Sequence, residues 1–180
     1  MIMAVFALLS IALILVVIFD FFFFIIPNSL SIFILGTFLI YFLLTDYSRI
    51  PYNLIFPTII FFTGILLAQS NILGFGDSKL LSSLSFGIGP FYTLHLIIYT
   101  VLLGGILAIL ILAFKKHVHA IRLKAFQNNI FNKLSYFFID DLIAVKKEVS
   151  HIAMQKYMPY GLAIAPAGLY AVYLSFVLKG

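Results

Sequence analysis

The sequence predicts an all-α, polytopic membrane bundle of about six transmembrane helices, and three observations predict it. Residues of the AVILMFWYC set make up 64% of the 180 residues and DEKR only 9%. A soluble domain keeps roughly a quarter of its residues charged to cover its surface, so most of this chain's outer surface must meet hydrocarbon. The apolar runs are continuous and lack the alternation of a barrel strand. Lipid offers no partner to backbone N–H and C=O groups, so continuous runs mean helices. The formal net charge of +5 is clustered along the chain, as expected where charge orients a bundle in the bilayer. A single membrane-embedded domain over residues 1–180 is expected.

The first span is expected from about residue 2 to 26, closed by Pro27-Asn28. It has no basic n-region and no small-residue cleavage site before a soluble part, so it reads as a span and not as a removable signal. The four phenylalanines from Phe21 to Phe24 read as lipid-facing bulk. A second span is expected over 29–45, closed by Asp46, Arg49 and Pro51, and a third over 53–70. The apolar stretch 77–113 carries only Asp77 and Lys79 as formal charges and is interrupted by Gly87, Gly89 and Pro90. It has room for a short helix and one full span, since a crossing takes about 20 residues. A polar, basic loop follows over about 115–157, and residues 158–178 form the last span.

Charge placement tests the count. With six spans and an outside amino terminus, Lys79, Lys115, Lys116, Arg122, Lys124, Lys133, Lys146, Lys147 and Lys156 all fall on the cytoplasmic side. Only Arg49 and Lys179 fall outside. Five spans would set the basic loop opposite Asp77, and no orientation would then satisfy the positive-inside rule as well. Within the loop, Leu123, Phe126, Ile130, Leu134 and Phe137 recur at helical spacing. That pattern suits either a basic amphipathic helix on membrane lipid or a hairpin packed on the bundle.

Several functions are excluded or disfavoured. There is no cysteine, so disulfides and thiol chemistry are absent. Nucleic acid is a poor partner for so little water-facing surface. His117 and His119 sit in a basic cluster without the further ligands a metal needs, and His95 reads as hydrogen-bonded packing. No metal or cofactor is expected. Ser78 beside Lys79 is a weak hydrolase pair, because adjacent helical side chains point about 100° apart. Lys79 reads as a side chain that snorkels to the interface.

Six acids remain: Asp20, Asp46, Asp77, Asp140, Asp141 and Glu148. Asp20 is the anomaly, alone in an apolar run. If its helix continues to Pro27, it lies about 10 Å from the helix end at about 1.5 Å per residue. A carboxylate at such depth costs about 2.5–3.5 kcal/mol on insertion scales, so it marks function or a protonated packing contact. Asp77 follows two glycines in Gly74-Phe75-Gly76-Asp77-Ser78-Lys79 and suits an N-cap as well as a catalytic role. The segment is neither a dinucleotide fingerprint nor a P-loop. In the six-span topology Asp20 closes the first span and Asp77 opens the fourth, so both carboxyls reach one membrane face. Two such groups a few ångströms apart cannot both ionise, and one then serves as base while the other donates to a carbonyl. Asp46 reads as an outer-loop residue near Arg49.

Three segments in order and spacing carry a resemblance: Asp20 with Pro27-Asn28 seven residues on, Gly74-Phe75-Gly76-Asp77-Ser78-Lys79-Leu80, and Pro159-Tyr160-Gly161 before the final span. Over nearly the whole chain these resemble the type IV prepilin peptidases, within the GxGD group of intramembrane aspartyl proteases. The chain is most similar to the small peptidase-only form found with tight-adherence (Tad) pilus systems. It departs from the pattern between Asp20 and Pro27, where family members often carry basic or polar residues. The resemblance implies a bacterial inner-membrane enzyme that removes the leader of a pilin precursor at the cytoplasmic face. Asp20 and Asp77 would be the catalytic pair, with Pro27, Asn28, Gly74, Gly76, Lys79, Pro159, Tyr160 and Gly161 in support. The alternatives are an inactive pilus-assembly subunit and a small transporter relaying protons through the two aspartates.

Overall fold

The computed structural model describes residues 2–70, 72–114, 117–118, 120–121 and 159–177. The expected amphipathic stretch of the basic loop, with His119, Asp140, Asp141 and Glu148, lies outside them. Five helices make up the described fold: α1 (Ile2–Phe23), α2 (Asn28–Thr45), α3 (Arg49–Gln69), α4 (Phe75–Ala113) and α5 (Gly161–Val177). The first four are long and apolar enough to cross a membrane.

α4 is not one rod. Straight, its 39 residues would reach about 58 Å at about 1.5 Å per residue. Gly89 interrupts it with φ 78° and ψ 173°, a conformation that residues with a Cβ rarely adopt, and Pro90 starts the next turn. Contacts with α5 give the geometry. A Cβ on Gly168 would lie 2.7 Å from Leu84 Cδ1, while one on Gly104 would lie 3.7 Å from Ala163 Cβ. Tyr99 meets Tyr170 edge to face at 4.9 Å. Moving from 99 to 104 therefore runs backward along α5, whereas 75–88 runs with it. The chain reverses at Gly89, giving six helical arms from five helices among the described residues. The first arm, about 21 Å long, is shorter than the roughly 30 Å hydrocarbon core.

The other arms alternate accordingly. Asn28 meets Lys79 and Phe42 stacks edge to face on Phe86, so α2 runs with the first arm of α4, and Tyr41 meets Phe176 near the end of α5. Gly64 of α3 backs onto Ser78, and Ser82 Oγ donates to Pro57 O at 3.0 Å, so α3 runs antiparallel to that arm. One end of the bundle thus holds the end of α1, the starts of α2, α4 and α5, and the end of the second α4 arm. The other end holds the 46–48 turn and Gly89.

The core is a set of apolar stripes at helical spacing: Leu9, Leu13 and Val16 of α1, Leu30, Ile34 and Phe38 of α2, and Leu80, Leu84 and Ile88 of α4. Glycines let the arms approach where side chains would hold them apart, as in membrane helix packing generally; the ring of Phe38 lies directly over Gly87.

Two boundaries and one facing correct the expectation. α1 stops at Phe23 and not at Pro27, because Phe24 adopts the left-handed conformation (φ 56°) while its N–H still donates to Asp20 O at 3.0 Å. The next residues are not helical, as the restriction on residues preceding a proline favours. The phenylalanine run is not simply lipid-facing either, since Phe23 is buried and Phe19 packs against it at 5.9 Å. α3 begins at Arg49, four residues before the expected start. Pro51 sits in its first turn, where no N–H is needed.

Candidate active site

Asp20 and Asp77 are both buried, at 4% and 7% exposure, and both lie at the same end of the bundle. Asp20 is in the last turn of α1. Because the helix ends at Phe23, the residue is about 4.5 Å from the helix end at about 1.5 Å per residue, not the 10 Å expected. Asp77 is in the first turn of α4, where its Oδ2 accepts the Gly74 N–H at 3.2 Å. The capping expected of it is therefore real, although it caps from the third helical position. Ser78 Oγ adds a bond to Gly74 O at 3.2 Å.

A glycine makes room for each carboxyl group. A Cβ on Gly161 would lie 2.8 Å from Asp20 Oδ2 and 2.9 Å from its Cγ. A Cβ on Gly74 would lie 2.7 Å from Asp77 Oδ2. Each glycine lets backbone approach a carboxyl more closely than any other residue would allow. Gly161 opens α5 immediately after Tyr160, whose carbonyl accepts the N–H groups of Ala163 and Ile164 at 2.9 and 3.0 Å. Pro159 is buried beside it. The Tyr160 ring covers Gly104 on the second arm of α4.

The linker 24–27 leads from α1 to α2 and packs against the Asp77 segment. Ile26 is buried, and a Cβ on Gly76 would lie 3.0 Å from Ile26 Cβ. One residue past Pro27, Asn28 Oδ1 accepts a hydrogen bond from Lys79 Nζ at 2.8 Å. Lys79 thus has a partner on another helix, where snorkelling alone was expected. All the predicted site residues gather at one end. Asp46 does not: it caps the far end of α2, bonded to Ser48 and to Arg49 Nε at 2.9 Å.

Sequence reasoning missed Ile26 and Gly104. For Ile26 a signal existed, since a residue before proline is biased toward extended backbone and this one sits between two motifs. Gly104 had none, because Gly105 beside it has nothing within 4 Å of a Cβ. His95 Nδ1 lies 3.2 Å from Phe91 O among aromatic rings, the packing role expected of it. Among the described residues no three His, Asp or Glu side chains gather closely enough to hold a metal ion.

A model of the type IV leader peptidase family matches residues 7–109, more than half of the chain. The matched region contains Asp20, Pro27, Asn28 and Gly74 to Lys79. No match was found among curated proteins or among solved structures.

Proposed function

The chain belongs to the type IV leader peptidase family, and from that premise we propose that it is an intramembrane aspartyl endopeptidase. In this reading it removes the leader of type IV pilin precursors of the Tad type at the cytoplasmic face of the inner membrane. Asp20 and Asp77 form the catalytic pair. The observation that carries the reading is the burial of two aspartates, from helices far apart in sequence, at one end of the bundle, each with a glycine clearing space for its carboxyl.

The chemistry needs no other group. One carboxylate takes a proton from a water molecule, and the water oxygen bonds to the scissile carbonyl carbon. The other, protonated, carboxyl donates to the carbonyl oxygen. Collapse of the tetrahedral intermediate breaks the C–N bond, and the departing amine takes a proton from the pair. The positive charge of the 115–157 loop supports the cytoplasmic assignment of this end, since the described chain enters and leaves that loop at the site end.

The test is conversion of precursor to mature pilin in membranes holding equal amounts of each variant. Asp20→Asn and Asp77→Asn should each abolish it, and the double variant should be no worse, because members of one catalytic unit are not additive. Processing by Asp20→Asn at near the parental rate would overturn the paired-aspartate reading.

A further inference from the structure

We propose that Lys79 and Asn28 are a positioning pair, whose hydrogen bond closes a clasp that fixes Asp77 relative to the end of the helix bearing Asp20. The inference rests on the peptidase reading and adds to it a task for two residues that touch no reacting atom. Side chains two positions apart on a helix leave it on nearly opposite sides. Lys79 is therefore turned away from Asp77, and its Nζ reaches Asn28 Oδ1 at 2.8 Å.

Two contacts join the strip of chain that leaves Asp20 to the start of α4, and this bond is the second of them. Phe24 N–H holds the start of the linker to Asp20 O at 3.0 Å. Ile26 is buried against Gly76, the residue before Asp77. Asn28 then ties the linker's far end to α4, two residues after Asp77. Asp77 is thus bracketed by two contacts with one strip of chain that leaves Asp20. No helical hydrogen bond spans residues 25 to 27, so the clasp must hold what helix geometry does not. A charged donor on an amide oxygen is stronger than a neutral pair. Misplacing a catalytic group by about 1 Å can cost about 100-fold in rate.

The experiment uses the full chain in proteoliposomes with a type IV pilin precursor. Lys79→Met and Asn28→Leu keep side-chain bulk and remove the donor or the acceptor. Each should lower kcat by about 10- to 100-fold with KM within about twofold. The double variant should be no worse than the worse single one, and Asn28→Asp, which keeps the acceptor, should retain most of the rate. If Lys79→Met raises KM while Asn28→Leu changes nothing, Lys79 binds substrate and the clasp is wrong. Unchanged kcat in both also overturns it. A second measurement is independent of activity. The chain has no cysteine, so Ile26→Cys supplies a unique thiol, shielded while the clasp is closed. Adding Lys79→Met or Asn28→Leu should speed its reaction with a water-soluble maleimide about tenfold. Equal labelling rates reject the clasp, whereas a parental chain that cleaves nothing rejects the peptidase reading instead.

Discussion

The two ends of this bundle treat acidic side chains in opposite ways. At one end Asp46 is settled entirely by its neighbours in sequence. It accepts from the Ser48 hydroxyl and backbone N–H and pairs with Arg49 at 2.9 Å, all within one exposed turn. At the other end Asp20 and Asp77 are buried; Asp77 keeps one local bond, from the Gly74 N–H, but segments far along the chain pack at both: Gly161 against Asp20, and Ile26 and Asn28 against Gly76 and Lys79. Low charge at a membrane edge does not by itself separate a structural acid from a functional one. The separation comes from who supplies the environment. A local turn satisfies a carboxylate and leaves it inert, whereas an environment assembled by tertiary packing can be shaped for chemistry.

The largest expected effect tests that contrast directly. Asp20→Asn or Asp77→Asn should remove cleavage altogether, while Asp46→Asn should leave it within about twofold, as expected of a surface change away from special features. A comparable loss from Asp46→Asn would erase the distinction between the two ends.

Next come the glycines that clear space for the carboxyls. Gly161→Ala places a Cβ 2.8 Å from Asp20 Oδ2, and Gly74→Ala places one 2.7 Å from Asp77 Oδ2. Each must push its carboxyl aside, and kcat should fall by about 10- to 100-fold in folded protein. Gly105→Ala, with nothing within 4 Å, is the control and should keep full activity. Cleavage kinetics at matched protein levels decide the point.

A smaller effect separates packing from chemistry. Gly87→Ala drives a methyl into the Phe38 ring, away from both aspartates, and overpacking of this kind costs about 1–3 kcal/mol. Thermal unfolding in detergent should show the loss, while kcat per folded molecule stays at the parental value. A fall in kcat without loss of stability would mean that this contact reaches the site.

The smallest effect belongs to the opposite end. The Ser48 hydroxyl, followed by Arg49, holds the Asp46 carboxyl below its usual range. A depressed folded-state pKa stabilises the protein above the unfolded value, roughly 3.9, and that contribution fades as pH falls through the folded value. The difference in Tm between the parental chain and Asp46→Asn should therefore be present at pH 5, slight because the turn is exposed, and shrink as pH falls through the depressed folded-state value. A difference that grew on acidification would reverse the assignment.

Much of this was legible in the sequence, and its limits have physical causes. Composition and continuous apolar runs determined the helical membrane class, because hydrocarbon leaves backbone groups no other solution. Glycine and proline placed the break in 77–113. Topology counted from charge places Asp20 and Asp77 at one membrane face. What hydropathy did not carry was the end of α1. Phe21 to Ile26 is as apolar as the helix before it, and only the turn at Phe24 and the burial of Ile26 against Gly76 reveal where helix gives way to linker. The tertiary structure alone decided that Gly161 faces the Asp20 carboxyl and that Lys79 reaches Asn28 and not merely the interface. Those pairings depend on how each helix is rotated about its axis and where it crosses its neighbours. A residue's own sequence neighbourhood records neither.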